Sequence, residues 1–249
     1  YSMEYKPSIV CITGATGDFG RAFAKRFADM GSRLILLGRN VDKLQALQKE
    51  LGETHENRFH IGVCDMTDRA SIEMCFANIP DEFSDIDLLI NNAGLALGLD
   101  PAHKCNIEDW ENMIDVNNKA LVTMSRLVLD GMEKRKKGHI INIGSTAGNY
   151  PYPGGNVYCA SKAFVKQFSL ALRADLQGTN IRVTNIEPGM VATQFSKVRF
   201  KGNDADAAKV YENTKPLTAE GVAESVVWAA TLPEHMNINR LELMPTVQS

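Results

Sequence analysis

Short, largely apolar runs recur along the chain, at Ser8–Thr13, Arg33–Leu37, Phe59–Cys64, Asp87–Ile90, His139–Gly144, Ile181–Glu187 and Leu241–Met244, and most of them lack the regular polar alternation of a half-exposed strand. A strand with one face in water alternates. A strand that is apolar on both sides must be covered on both sides, which requires a sheet lying between two layers. The stretches between these runs carry a different period. Phe19-Ala22-Phe23-Phe27-Met30, Leu44-Leu47-Leu51 and Ile72-Cys75-Phe76-Ile79 each place apolar side chains on one helical face. Longer helical patterns cover Ile107–Gly131 and Val157–Gly178, and both stop at a glycine suited to a C-cap. Strands joined through helices of this length form right-handed βαβ units. The expected fold is α/β, a doubly wound sheet of seven parallel strands flanked by helices.

With 249 residues and 44% hydrophobic content, the chain has material for one sizeable core, so residues 1–249 are expected to form a single domain. Gln194–Pro216 is the one long stretch without clear apolar periodicity, and it reads as a substrate loop. Tyr1-Ser2, ahead of Met3, read as a remnant that does not belong to the domain.

A net charge of −3 offers no basic excess for a phosphate backbone, which argues against nucleic acid as a partner. No apolar run approaches the ~18–20 residues of a membrane span. The five cysteines, at 11, 64, 75, 105 and 159, show no ligand spacing, and the five histidines make no His-x-x-x-His pair. Free thiols in a reducing cytoplasm, and no metal, are the expectation.

The first predicted strand runs directly into Gly14-Ala15-Thr16-Gly17-Asp18-Phe19-Gly20 and then a helix. Strand, glycine turn and helix N-terminus together make a Rossmann-type diphosphate site. Bare backbone allows close approach there, and unpaired N–H groups with the positive end of the helix dipole face the anion. Gly14, Thr16, Gly17, Asp18, Phe19 and Gly20 are thus candidate cofactor contacts. The second strand ends at Arg39, where a site selective for NAD would offer a carboxylate to the ribose hydroxyls. A guanidinium can clamp a 2′-phosphate instead, so the cofactor is expected to be NADP.

Tyr158 and Lys162 stand at i and i+4 on the second long helix and share one face. A tyrosine of ordinary pKa ~10 is a poor base at neutral pH, and an adjacent ammonium favours its phenolate. Ser145 closes the fifth strand, where its hydroxyl can hydrogen-bond a substrate oxygen. Each feature alone is common. Gathered at one sheet edge beside a dinucleotide site, they point to catalysis. Arg199 and Lys201, in the loop, are candidates to hold a substrate carboxylate, the alternative being solvated loop charges. Lys134-Arg135-Lys136-Lys137 reads as a solvated helix C-terminus, Trp110 and Trp228 as packing residues, and Cys159 as turned away from the Tyr158 face.

With these residues in view, the chain resembles the classical short-chain dehydrogenase/reductase family along nearly its whole length. Asn91-Asn92-Ala93-Gly94 is similar to the family's segment after the fourth strand, which implies cofactor contacts at Asn92, Ala93 and Gly94. Asn117, in Asp115-Val116-Asn117, matches the asparagine that holds a proton-relay water and would complete a tetrad with Ser145, Tyr158 and Lys162. Pro188-Gly189-Met190-Val191-Ala192-Thr193 resembles the segment that fixes the nicotinamide carboxamide, implying Pro188, Gly189, Val191 and Thr193. Asp65-Met66 resembles the adenine-contacting pair, and Tyr158 and Lys162 would also touch the cofactor.

A narrower likeness joins Gly94–Gly98, Pro101–Lys104, Ile143–Gly148, Gly154–Tyr158 and Val198–Gly202 to the NADP-dependent 3-hydroxy acid dehydrogenases. These handle serine, allo-threonine and 3-hydroxypropionate or malonic semialdehyde, and enzymes of this kind are commonly homotetramers. Apolar residues on more than one face of the long helices, such as Phe164, Val165, Phe168 and Leu170, agree with a subunit contact. One departure stands out: the family's glycine pattern wants glycine where this chain has Asp18, and Gly17 comes one place early. A carboxylate there repels a diphosphate unless it turns away. The competing readings are a carbonyl reductase of another substrate class, and a non-catalytic dinucleotide sensor that would need the glycine turn but not the tetrad.

Overall fold

A computed structural model describes residues 5–55, 58–192 and 215–247. Seven strands make one sheet: β1 (Ile9–Ile12), β2 (Arg33–Gly38), β3 (Phe59–Val63), β4 (Leu88–Asn91), β5 (Gly138–Ile143), β6 (Ile181–Pro188) and β7 (Arg240–Leu243). All neighbours are parallel, in the order β3-β2-β1-β4-β5-β6-β7. The order reverses between β1 and β4. At such a switch point the connecting helices leave to opposite faces and open a crevice beyond the strand ends.

Among the described residues, seven α-helices cover the sheet: α1 (Asp18–Asp29), α2 (Val41–Gly52), α3 (Arg69–Ala77), α4 (Ile107–Ile114), α5 (Ala120–Arg135), α6 (Asn156–Asp175) and α7 (Ala219–Ala230). Val10 and Ile12 of β1 look toward α1, α2 and α7, where Phe23, Phe27, Leu44 and Val226 are buried. Ile9 and Cys11 look the other way, onto Ile72 of α3, Met124 of α5 and Leu172 of α6. Successive residues of β1 therefore feed two cores, which explains its continuous apolar run, whereas the edge strand β7, Arg-Leu-Glu-Leu, alternates exposed and half-buried residues.

The expected helix Ile107–Gly131 is interrupted. Asp115–Lys119 forms a π-helical turn between α4 and α5, and α5 continues past Gly131 to Arg135. Gly131 caps nothing; the Arg135 guanidinium lies over it, and Lys136, with φ 51°, takes the left-handed cap position. α6 likewise ends at Asp175, with Gly178 (φ 84°) in the turn beyond. Of the basic run, Arg135 donates to the Ile86 carbonyl and Lys137 pairs with Asp87, so these charges tie α5 to β4 rather than merely facing water.

Of the expected substrate loop at about 194–216, residues 194–214 lie outside the described residues, as do Thr193, Arg199 and Lys201. On either side of this segment, Leu217 N–H donates to the Met190 carbonyl and Ala192 N–H to the Leu217 carbonyl. The two flanks are thereby joined beside Pro188-Gly189.

Candidate active site

The cofactor end is built around Gly14. Its φ of +61° suits glycine, and a Cβ there would stand 3.0 Å from the Cα of Ala93. The close approach is held by side chains. The Thr13 hydroxyl accepts from the Asn92 and Ala93 N–H groups at 3.0 and 2.9 Å, and Asn92 Nδ2 donates to the Gly14 carbonyl at 3.1 Å. Asn92 and Ala93 thus fasten the end of β4 to the glycine turn, and Thr13, to which the sequence reading gave no role, is the buckle.

Gly20 is required for a different reason, since a Cβ on it would meet the Gly14 carbonyl oxygen at 2.3 Å. Gly17 is under no such constraint. It N-caps α1 with ordinary extended backbone, φ −74° and ψ 171°, and a Cβ there would be 3.6 Å from its nearest neighbour. Asp18 is the first residue of α1, half-buried, where its carboxylate suits the helix dipole. Thr16 is half-buried at the same turn, and the Phe19 ring packs beside Phe23, with centroids 5.9 Å apart.

Arg39 is exposed just past the end of β2, and Asp65 just past β3, on the next strand. The Thr67 hydroxyl and N–H, 2.7 and 2.9 Å away, hold the Asp65 carboxyl below its ordinary range, and the Arg39 charge adds to the effect. Met66 lines a small cleft with Thr13, Ala93 and Val116.

No side chain caps the N-terminus of α1, whereas Asn40, Asp68, Asn106 and Thr218 cap α2, α3, α4 and α7. An uncapped helix start, bare glycine backbone and an exposed guanidinium fit a phosphorylated dinucleotide.

At the catalytic end, Tyr158 and Lys162 are both buried on one face of α6, with Lys162 Nζ 5.9 Å from the centre of the Tyr158 ring. Lys162 Nζ donates to the Ile143 carbonyl at 3.0 Å, and burial pushes its ammonium down to about 8. Ser145 lies beyond the end of β5 and accepts from the Ala147 N–H at 3.0 Å, capping a single 3-10 turn at Thr146–Gly148.

Asn117 sits in the π turn. Its Oδ1 accepts from Leu95 N–H at 2.7 Å, and its Nδ2 donates to the Leu95 carbonyl at 2.8 Å and to Ser161 Oγ at 3.1 Å. Ser161 Oγ in turn donates to the Tyr158 carbonyl at 2.7 Å, and Asn118 Nδ2 donates to the Ser161 carbonyl at 3.0 Å. Ser161 was not singled out by sequence; the signal was available in its place one residue before Lys162. A Cβ on Gly94 would stand 3.6 Å from Lys162 Nζ and 3.8 Å from Asn117 Oδ1, so Gly94, Asn117 and Lys162 share one corner. Pro188 ends β6, and Gly189 N–H donates to the Leu243 carbonyl at 2.6 Å. Val191 pairs with Leu217 in an isolated parallel bridge.

Trp110 donates through Nε1 to Asn156 Oδ1 and packs near Tyr158, while Trp228 remains 38% exposed. Cys159 is buried beside Gly155. Among the described residues, no group of His, Cys, Asp and Glu is placed to hold a metal, and no helix is long and apolar enough to cross a membrane.

Comparison with known proteins agrees with this architecture. The chain is 58% identical over 242 residues, 97% of its length and 96% of the relative's, to an NADP-dependent 3-hydroxy acid dehydrogenase, YdfG, of Salmonella typhi. It is 48% identical over 242 residues to sulfoacetaldehyde reductase 2 of Chromohalobacter salexigens, covering 97% of this chain and 95% of that one. The closed form of a serine dehydrogenase complexed with NADP+ superposes with a TM-score of 0.93 at 57% identity, covering 97% of this chain and 96% of the other. The family model described as short chain dehydrogenase matches residues 8–204, more than half of the chain, and the protein belongs to that family.

Proposed function

We propose that the protein is an oxidoreductase that transfers a hydride between NADP and C3 of a small 3-hydroxy or 3-oxo acid, of the serine, allo-threonine or 3-hydroxypropionate/malonic semialdehyde type. The observation that carries the catalytic reading is the corner in which the Lys162 ammonium, the Asn117 carboxamide and bare Gly94 meet beside the Tyr158 ring. The substrate class rests on the likeness to relatives of that activity.

When bound, NADP supplies the nicotinamide carbon that accepts or returns the hydride. Gly14, Thr16, Gly17, Asp18, Phe19 and Gly20 would hold its diphosphate, and Arg39 its 2′-phosphate. Asp65 and Met66 would hold the adenine, and Asn92, Ala93 and Gly94 the middle of the molecule. Pro188, Gly189, Val191 and Thr193 would hold the carboxamide. Tyr158 takes the proton of the substrate hydroxyl in oxidation and returns it in reduction. The Lys162 ammonium favours the Tyr158 phenolate, and Asn117 with Lys162 relays the proton to water. Ser145 and Tyr158 hydrogen-bond the substrate oxygen as its charge develops. Arg199 and Lys201 are the cations proposed for the substrate carboxylate.

We place the enzyme in the cytoplasm as a single domain that assembles as a homotetramer. In support of assembly, Phe164 is 45% exposed and stacks on the half-buried Phe168, with rings 6.1 Å apart, while Val165 is fully buried.

A substrate panel in both directions tests the function, following NADPH absorbance with L-serine, allo-threonine, 3-hydroxypropionate, malonic semialdehyde, sulfoacetaldehyde and a neutral alcohol. Turnover of the hydroxy acids and little of the alcohol is expected. Preference for sulfoacetaldehyde would favour the second reading, a reductase of another substrate class, which the 48%-identical relative brings into view. Cofactor binding without turnover of any of them would leave a dinucleotide sensor.

A further inference from the structure

Behind Ser145, a network of charged and amide side chains joins three segments that are distant in sequence. Glu187, the penultimate residue of β6, is 1% exposed. Arg240 of β7 grips it with Nε at 2.9 Å and Nη2 at 2.8 Å, and Asn185 Nδ2 donates to it at 2.9 Å. Burial alone would push this carboxyl up, but the hydrogen bonds from Arg240, Asn149 and Asn185 outweigh it and hold the group ionised below the ordinary carboxylate range. Glu242 lies beside Glu187 in the register of β6 with β7.

Asn149 is where this network meets the catalytic end. It follows the 3-10 turn capped by Ser145, and its Nδ2 donates to Glu187 Oε1 at 2.6 Å and to Glu242 Oε2 at 2.9 Å. Its Oδ1 accepts from Lys166 Nζ at 2.8 Å, one turn along α6 from Lys162. Both N–H donors of the carboxamide and its oxygen thus each have a charged partner, and charge-assisted bonds are the firm ones.

The turn itself has no slack. A Cβ on Gly148 would be 2.7 Å from the Lys162 carbonyl carbon, and one on Gly144 would be 2.8 Å from Asn185 Nδ2. Glycines on both sides of Ser145 let the turn lie directly on α6 and β6. Close packing alone still permits sliding along those surfaces. The directional bonds of Asn149 fix where along them the turn rests.

We propose that Asn149 is a positioning residue for Ser145: anchored on the buried Glu187 and on Lys166, its carboxamide sets the Ser145 hydroxyl against Tyr158. The proposal rests on the reading of Ser145 as a group that hydrogen-bonds the substrate oxygen. Asn149 is not a catalytic residue and touches neither substrate nor cofactor in this role. Its loss therefore acts on kcat and only through Ser145.

A double-mutant cycle tests this, with kcat, substrate KM and NADP affinity by fluorescence titration measured for wild type, Asn149→Ala, Ser145→Ala and the double variant. Asn149→Ala should lower kcat roughly tenfold, within the range of couplings seen for residues sharing a hydrogen-bond network, with KM and NADP affinity changed less than about twofold. In the Ser145→Ala background the same substitution should change kcat less than about twofold. Should Asn149→Ala fail to fold, Asn149→Ser, which keeps a short hydrogen-bonding side chain, takes its place in the cycle. An equal loss of kcat in both backgrounds overturns the positioning role while leaving Ser145 as read. A Ser145→Ala enzyme with near-wild-type kcat overturns the reading of Ser145 and the proposal with it.

Discussion

Lys162 Nζ donates to the carbonyl of Ile143, so the helix that carries Tyr158 is pinned to the strand end that leads into Ser145. The bond crosses the floor of the catalytic corner. It also leaves an ammonium where burial opposes its charge.

That opposition has a sign that can be measured. The folded value of about 8 lies below the ordinary 10.5, so in the window between them the unfolded chain keeps a proton that the folded chain has released. Stability contributed through Lys162 therefore rises with pH across that window, and below it the full cost of the buried charge is present. Lys162→Met should abolish turnover yet raise stability near pH 7. The fall from 10.5 to about 8 sets a ceiling of roughly 3 kcal/mol, at about 1.4 kcal/mol per tenfold in proton affinity, less what the Ile143 hydrogen bond contributes. Urea unfolding near neutrality and again above the window measures it. A gain that does not shrink at high pH, or a loss at neutrality, would show that the ammonium is not the source.

Tyr158→Phe removes the acid/base hydroxyl and little volume. Turnover should fall by at least about 10²–10⁴, the range for general acid–base catalysis. NADP affinity should change less than about twofold. Single-turnover kinetics with fluorescence titration separates the two, and a kcat near wild type would remove Tyr158 from the mechanism.

Arg39→Asp replaces the proposed phosphate clamp with an acceptor for ribose hydroxyls. Losing a charge-assisted contact of about 1.5–3 kcal/mol should lower kcat/KM for NADP roughly 10–150-fold and raise it for NAD. An unchanged ratio of the two cofactors would assign recognition of the 2′-phosphate to another residue.

Gly20 and Gly17 should respond differently to a side chain. Gly20→Ala drives a methyl into backbone 2.3 Å away and should destabilise the fold by about 1–3 kcal/mol. Gly17→Ser places a favoured N-cap residue on relaxed backbone and should leave stability within about 0.5 kcal/mol. If Gly17 faces the diphosphate, only the ligand meets the new side chain, so NADP binding weakens while thermal unfolding does not move. Equal NADP affinity in Gly17→Ser would mean that the diphosphate does not approach Gly17.

The strands were legible almost to the residue, as Arg33–Leu37 against the observed Arg33–Gly38 shows, because burial on two faces leaves an uninterrupted apolar run. Tyr158 and Lys162 were legible for a similar reason: a helix places i and i+4 together whatever surrounds it. The π turn at Asp115–Lys119 was not, since it changes no residue type and no apolar period long enough to notice. Gly131 misled because a glycine stops a helix only where the backbone turns left-handed, and here Lys136 makes that turn. Glu187 and its partners escaped because Asn149 and Arg240 reach it from 38 and 53 residues away, a distance no local spacing encodes.

The wide turn at Asp115–Lys119 holds about one residue more than an α-helical turn would. A chain shortened by one residue there can run from α4 into α5 as ordinary helix with its backbone still paired, so the sheet has no stake in the extra residue. The aim of Asn117 and Asn118 at Ser161 does. Chain length therefore matters in this stretch beside side-chain identity, because the carboxamides of Asn117 and Asn118 must be both present and correctly aimed. Deletion of one residue here, which substitution libraries never sample, is therefore a second route, beside Tyr158→Phe, to a folded form that has lost its activity.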